Sequence, residues 1–156
     1  MGPLVGCQEK VETKASWITL FPLFPVVGLT ASILGHLDFK SGGSLCPSSV
    51  SVLDCSRVYV IPQARVLGVH LSEVAPLYFL VLLTIAVLGM VYASWELLVV
   101  YMALSIAGLS VIPYLVYLEL VVAEALCLYC TVMHVAIVGC TAHSITLWAR
   151  LHRVVG

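Results

Sequence analysis

Four long apolar stretches, separated by polar segments, dominate the pattern of the chain. Their predicted bounds are about 17–37, 74–94, 97–118 and 125–149. Each is long enough for an α-helix to cross the hydrocarbon core of a membrane, which needs about 20 residues. Helices satisfy their own backbone groups in lipid, so the pattern predicts an all-α, integral membrane four-helix bundle.

One polar interruption is much longer than the others. Residues 38–73 mix charges, prolines and short apolar runs, a pattern too broken to cross a membrane. A loop of about 35 residues in so small a bundle is generally functional or disordered, and its apolar runs argue against disorder. We expect a short amphipathic helix near 52–59 and an exported loop that caps the mouth of the bundle.

Prolines and one tight connection refine the predicted spans. Pro22 and Pro25 fall in the first turns of the first span, and Pro76 falls near the first helical position of the second. A missing amide donor costs least there. Pro113 predicts a kink in the third span. The short connection 93–96 makes the second and third spans antiparallel neighbours.

Composition agrees with a membrane protein that has no second domain. Of its 156 residues, 62% are hydrophobic and 10% are charged, with a mean hydropathy of +1.11. A net charge of −1 gives no indication that the protein binds nucleic acid. We also expect the protein to be a monomer. Residues 1–16 are too polar for a signal peptide and form a predicted tail, as do residues 150–156. Four spans put both termini on one side, predicted to be cytosolic.

A Cys-x-x-Cys motif, Cys127 and Cys130, begins the fourth span soon after two acidic residues, Glu119 and Glu124. Residues three apart lie on nearly the same face of a helix, so these thiols can form or break a disulfide. Free amides at a helix start favour the thiolate of Cys127, whereas apolar surroundings and Glu124 oppose it. The sequence does not rank these effects.

A second pair, Cys46 and Cys55, lies in the long loop, which four spans place on the same side as the start of the fourth helix. A thiolate passes a disulfide on through a mixed intermediate, so this pair can act as a shuttle for the motif pair. One alternative is a structural disulfide that braces the exported loop. Another is a four-thiolate zinc site, for which the loop spacing is too wide, and we expect no metal.

The other cysteines and the tryptophans bear on orientation more than on chemistry. The tryptophans fall at the predicted end opposite the cysteine pairs, as an aromatic belt requires: Trp17, Trp95 and Trp148. Cys7 lies in the tail, and Cys140 lies about 15 Å below Cys130 along the helix. We interpret both as non-catalytic, with Cys140 a small buried hydrophobe.

The order of the two pairs resembles the vitamin K epoxide reductase family. The resemblance is carried by Cys46-x8-Cys55-Ser56-Arg57-Val58-Tyr59 followed by Cys127-Leu128-Tyr129-Cys130 within four spans. It covers essentially the whole membrane domain. It implies a prokaryotic-type, disulfide-forming member without a fused thioredoxin-like domain. Such an enzyme oxidises a separate thioredoxin-fold partner and reduces a membrane quinone of the menaquinone, ubiquinone or vitamin K type.

The resemblance also implies a role for each of the four cysteines. Cys46 would exchange with the partner, and Cys55 would pass the disulfide state to Cys127. Cys130 would then face the quinone and give up the electrons. All four are therefore the predicted catalytic residues.

A quinone site beside Cys130 is implied in the same way, formed by His134, Tyr59 and Val58. His134 stands where animal enzymes have a tyrosine, and its imidazole can donate to a quinone oxygen or deliver a proton. The alternatives are an interhelical packing histidine and an ordinary interface tyrosine. The chain has no asparagine, the other residue type that binds vitamin K in animal enzymes, which favours a plain quinone over the epoxide.

Two alternative functions follow from the same residues. One, within the family, is vitamin K quinone and epoxide reduction proper, which turnover of an epoxide substrate would identify. The other is a non-enzymatic four-span scaffold with a structural loop disulfide. Quinone-dependent oxidation of a thioredoxin-fold protein would exclude the scaffold.

Overall fold

The fold is that of a computed structural model, in which the described residues are 22–46, 53–66, 68–92 and 94–155. Within them the chain is mostly helical. The α-helices are α1 (Leu23–Lys40), α2 (Cys55–Tyr59), α3 (Leu71–Tyr92), α4 (Trp95–Tyr117) and α5 (Leu128–Val155). The remaining elements are a 3₁₀ turn (Pro62–Ala64), the hairpin of β1 (Arg65–Val66) and β2 (Val69–His70), and a π-helical turn (Leu118–Val122).

Within the described part of the chain, three helical stretches are long and apolar enough to cross a membrane. They are Leu71–Tyr92, Trp95–Val122 and Leu128–Arg150. Large apolar side chains point outward from these stretches; Leu77, for example, is 62% exposed and Val91 is 70% exposed. Lipid is the solvent in which such faces are stable. The protein is therefore an integral membrane protein.

The long helices pack in pairs around a shared apolar core. α1 contacts α3 and α5, and α4 contacts the same two helices. The core is centred on α3, α4 and α5, where the most buried side chains include Phe79, Leu82, Tyr101, Ala136 and Cys140. Cys140 has no exposed surface, so it fills the core as the sequence predicts.

The close approach of α1 to α3 depends on Gly28. A Cβ atom at this position would overlap the ring of Phe79, which is itself fully buried. Gly28→Ala is therefore expected to lower the free energy of unfolding by about 1–3 kcal/mol, the usual cost of overpacking a core. Thermal unfolding in detergent measures the loss.

Gly89 in α3 offers the matched control for this substitution. A Cβ there would meet only the Cβ of Leu97, at 3.7 Å, which is ordinary van der Waals contact. Because alanine is the better helix former, Gly89→Ala should be neutral or raise the stability by up to ~1 kcal/mol. Equal destabilisation by the two variants would contradict the packing described here.

α1 and α3 both reach further into the predicted loop 38–73 than the sequence suggests. α1 continues to Lys40, because Asp38 turns inward and accepts hydrogen bonds from backbone beyond the helix. α3 begins at Leu71, so Pro76 lies inside this helix and the prediction that it stands near the first position is wrong. The short helix expected near 52–59 is present as α2, and its predicted first residue lies outside the described residues.

The connection between α4 and α5 also differs from the prediction. The helix does not simply end near 118 but widens into the π-helical turn, in which the N–H of Ala123 donates to the carbonyl of Leu118 at 2.8 Å. Glu124, at φ 50°, then reverses the chain. α5 begins only at Leu128, so Cys127 precedes the helix. It runs on to Val155, and the predicted basic tail is thus helical.

Two of the three tryptophans share one end of the helices, as the sequence predicts. The rings of Trp95 and Trp148 stack with their centroids 6.2 Å apart, where α4 begins and α5 nears its end. About 18 residues of α5, or ~27 Å, separate this end from the cysteines. Trp17, Cys7 and the predicted tail 1–16 lie outside the described residues.

Two cysteine pairs beside an apolar cavity

The two cysteine pairs, which are remote in the sequence, lie together in the structure. Cys46 and Cys55 form a disulfide with their Cα atoms 6.1 Å apart, while Cys127 and Cys130 are free thiols. Cys46, Cys55 and Cys127 belong to one buried cluster, and Cys130 packs against it. The structure thus brings all four predicted catalytic residues to one site.

A short backbone bridge holds the loop pair against the motif pair. Leu53 and Leu126 form an isolated parallel β-bridge, and the N–H of Asp54 donates to the carbonyl of Leu126 at 3.2 Å. Leu126 immediately precedes Cys127, and Asp54 immediately precedes Cys55. Cys55 and Cys127 are consequently carried into the same cluster by adjacent pieces of backbone.

Asp54 fixes the orientation of α2 and hence of Cys55. Its Oδ1 accepts hydrogen bonds from the N–H groups of Ser56 and Arg57, which caps the helix. A hydrogen bond from the Ser56 hydroxyl holds the pKa of this exposed carboxyl below its usual range. Arg57 Nε lies 3.5 Å from Asp54 Oδ2, so the two side chains form a local ion pair.

Asp38 connects the end of α1 to the loop disulfide. It is completely buried, and its Oδ1 accepts from the N–H groups of Leu45 at 2.7 Å and Cys46 at 3.1 Å. Its Oδ2 accepts from the hydroxyl of Tyr59 at 3.1 Å. Burial raises the pKa of Tyr59 above its usual range, so the phenol stays protonated and acts as a donor. Sequence reasoning missed this carboxyl group.

Asp38, Cys46 and Cys55 also form a compact group of potential metal ligands, with candidate atoms within 4.8 Å of one another. The two sulfur atoms are bonded to each other, however, and a disulfide is not a thiolate ligand. This grouping therefore belongs to the disulfide site and does not point to a metal centre.

Cys127 caps the first turn of α5 with its sulfur. The N–H of Cys130 donates to Cys127 Sγ at 3.4 Å, and the hydroxyl oxygen of Tyr59 lies 4.0 Å from the same sulfur. Hydrogen bonds from Cys130 hold the pKa of the Cys127 thiol below its usual range, although burial and Glu119 act in the opposite direction. These hydrogen bonds therefore favour ionisation of Cys127 more than burial and Glu119 oppose it. The opposing carboxyl is Glu119 and not Glu124, which is exposed.

Glu119 lies inside the site because the π-helical turn rotates it inward. It is 3% exposed, and its Oε2 accepts a hydrogen bond from the N–H of Cys127 at 3.2 Å. Its Oε1 lies 4.0 Å from Nδ1 of His134. π-Helical turns occur frequently at functional sites, and this one joins the motif cysteines to a buried acid and a histidine.

A cavity of about 380 Å³ opens beside these groups. Val58, Tyr59 and His134, the three predicted quinone-site residues, all line it. Of the four site cysteines, all of which are described, only Cys130 lines it. The remaining walls are largely apolar, and the volume falls in the range of small-molecule sites. A cavity of this size and lining can hold a small apolar ring.

His70, which received no role from the sequence, also lines the cavity. The N–H of Ser72 donates to its Nδ1 at 3.1 Å, and the ring stacks on Phe39 with the centroids 4.2 Å apart. Burial lowers the pKa of His70, more than the nearby carbonyl of Tyr59 raises it, which favours the neutral ring. Because Nδ1 accepts from the N–H of Ser72, the proton of the neutral ring is assigned to Nε2. Nε2 is buried and makes no hydrogen bond of good geometry to any described residue.

Comparison with known proteins identifies one family. The model described as the vitamin K epoxide reductase family matches residues 18–145, which is most of the chain and includes both cysteine pairs. No match was found among curated proteins or among solved structures.

Proposed function

The chain belongs to the vitamin K epoxide reductase family of membrane thiol oxidoreductases, and we propose that it oxidises a separate thioredoxin-fold protein and reduces a membrane quinone. Two electrons would pass from the partner through Cys46 and Cys55 to Cys127 and Cys130, and then to the quinone. The protein would thereby support disulfide bond formation in its partner's substrates, as the prokaryotic-type members of the family do.

A single observation carries this proposal: Cys130 lines the apolar cavity while Cys127, one turn away, packs against the loop disulfide. The motif pair is thus in contact with both a possible electron donor and a possible site for an acceptor. A structural loop disulfide would explain Cys46 and Cys55, but it would not explain a free thiol pair between that disulfide and a cavity.

Cys46 is the sulfur that the partner would attack. It is 8% exposed, whereas Cys55 is 1% exposed and faces the cluster with Cys127. A partner thiolate would form a mixed disulfide with Cys46 and release the thiolate of Cys55. The second partner thiol would then attack the mixed disulfide, leaving an oxidised partner and a reduced loop pair.

Electrons would next move from the loop pair to the motif pair. The thiolate of Cys55 attacks Cys127 in a Cys127–Cys130 disulfide and releases Cys130. Cys46 then attacks Cys55, which closes the loop disulfide again and frees Cys127. The resulting combination, a closed loop disulfide and two free motif thiols, is the one that the structure contains.

The final step would oxidise the motif thiols at the cavity. Cys127 and Cys130 form a disulfide and give up two electrons and two protons, which convert a bound quinone to the quinol. Val58 and Tyr59 would hold the ring from the loop side. His134 and the neutral His70 are the histidines of the described chain that line the cavity, and each could donate to a quinone oxygen.

The membrane arrangement is part of the same proposal. α1, with 18 residues, would be the fourth span, since it is ~27 Å long and exposes apolar side chains such as Val26 and Ile33 away from its partners. The four helices would form one bundle with the loop as a cap over its mouth. Both termini would then be cytosolic and the cysteines exported, in an oxidising compartment.

The experiment is a turnover assay with purified protein in lipid nanodiscs. A reduced thioredoxin-fold protein and a water-soluble quinone with a short side chain are supplied under anaerobic conditions. The quinol and the disulfide of the partner are both measured. The proposal predicts one quinol for each partner disulfide formed in turnover. Without the quinone, partner oxidation should stop once the protein's own disulfides have been reduced. Continued partner oxidation without the quinone would refute the proposal, and a vitamin K epoxide tested in parallel shows whether this chain also reduces the epoxide.

A further inference from the structure

Quinone reduction in an apolar cavity requires a path for protons. Oxidation of Cys127 and Cys130 releases two protons, and the quinone must gain two to become a quinol. The cavity walls are largely apolar and contain few groups that can carry a proton. The titratable ones in the described chain are Tyr59, His70, Tyr78, Glu119, Tyr129, Cys130 and His134.

Glu119 is the single carboxyl group among the described residues of this wall. One of its oxygens accepts the N–H of Cys127 at 3.2 Å, and the other lies 4.0 Å from Nδ1 of His134. The same side chain is therefore next to the residue that begins the motif and next to a histidine on the cavity wall. A buried acid in a stretch that can span a membrane is costly to keep, and such residues mark functional sites, proton relays among them.

We propose that Glu119 carries protons between the motif thiols and the quinone, with His134 as the group that hands them to a quinone oxygen. Glu119 accepts a proton as the Cys127–Cys130 disulfide forms, and it passes that proton to the imidazole of His134. His134 gives it to a ring oxygen, and a second cycle moves the second proton. The electrons travel by the separate route from sulfur to quinone. This inference rests on the proposed quinone reduction.

Glu119→Gln is the sharpest test, because the amide oxygen can still accept the N–H of Cys127 while the proton-accepting carboxylate is lost. In anaerobic single turnovers of the reduced protein, we expect quinol formation to slow about 100-fold with little change in the quinone concentration that half-saturates the rate. Exchange between the partner and the loop disulfide should keep its wild-type rate. Glu124→Gln, an exposed acid five residues on, is the matched control and should have no effect.

Two further readouts separate proton transfer from a structural role. The wild-type rate should rise with pH as the carboxyl group of Glu119 ionises, and this rise should vanish in Glu119→Gln. The groups around it that also titrate are Cys127, Cys130 and His134, and their contribution stays in the variant. Glu119→Asp, which keeps a carboxylate, should recover at least about 10-fold of the lost rate.

The outcomes distinguish a failure of the proton-carrying role of Glu119 from a failure of the proposed quinone reduction. If the wild-type protein reduces no quinone, the proposed function fails. If the wild-type protein is active and Glu119→Gln is as fast, with an unchanged pH profile, the proton-carrying role is wrong while the function stands. If Glu119→Gln does not fold, Glu119→Asp decides: slower quinol formation with a shifted rise in rate with pH supports the proton-carrying role, whereas a rise with pH identical to that of the wild type overturns it.

Discussion

Replacing Cys130 with serine is expected to reduce quinone turnover to the rate without protein. Cys130 is the motif sulfur that lines the cavity, and without it no disulfide can form as electrons leave. Cys127 remains, and its thiolate form can now attack Cys55 of the neighbouring disulfide and free Cys46. The variant should therefore accumulate a Cys55–Cys127 disulfide, visible by non-reducing electrophoresis and by mass spectrometry of peptides.

Cys140→Ser is the matched control, because it removes a buried thiol from the same helix about 15 Å away. It should leave both turnover and the loop disulfide as in the wild type. The relay would be contradicted if Cys130→Ser still reduced quinone, or if its loop disulfide remained entirely between Cys46 and Cys55.

The second large effect is expected from Asp38→Ala. The substitution removes the acceptor of two backbone N–H groups, the partly buried one of Leu45 and the buried one of Cys46. It also removes one of the two acceptors of the Tyr59 hydroxyl, which keeps the carbonyl of Gly35 at 3.3 Å. A buried donor without an acceptor costs about 1–3 kcal/mol, so the free energy of unfolding should fall by roughly 2 kcal/mol. The loop disulfide should also become easier to reduce, because its attachment to α1 is lost.

Asp38→Asn is the companion variant. The amide oxygen can still accept the two backbone N–H groups, and only the contact with Tyr59 changes, so a smaller loss is expected. Thermal unfolding in detergent and the rate at which a small thiol reduces the Cys46–Cys55 disulfide measure both variants. If Asp38→Ala matched the wild type in both measurements, Asp38 would not be what holds the loop in place.

Much of the architecture could be predicted because membrane helices and paired cysteines leave strong patterns. Runs of about 20 apolar residues indicate the long helices, and the spacing of the pairs points to Cys46, Cys55, Cys127 and Cys130. Three helical stretches fit a membrane span, and the disulfide and the free motif pair are present as expected. Helix ends were less predictable, since they depend on tertiary hydrogen bonds such as those of Asp38.

The residues that sequence reasoning missed are polar groups whose role depends on local backbone geometry. From the sequence alone, Glu119 is interpreted as a charged residue at the end of a span, because the π-helical turn that rotates it inward cannot be predicted. Asp38 is likewise interpreted as the residue that ends a span, and His70 is one of several histidines without an assigned role. A signal was present, because acids at the ends of apolar helices are costly unless they are paired. It could not show which of Glu119 and Glu124 faces the site.

The most direct test of the account is a single anaerobic turnover of the fully reduced motif pair with one equivalent of quinone. The prediction is one quinol per chain, a new disulfide between Cys127 and Cys130, and an unchanged disulfide between Cys46 and Cys55. Quinol formed without a Cys127–Cys130 disulfide, or no quinol from protein whose motif thiols are intact and free, would contradict the claim that Cys130 delivers electrons to a quinone in the cavity.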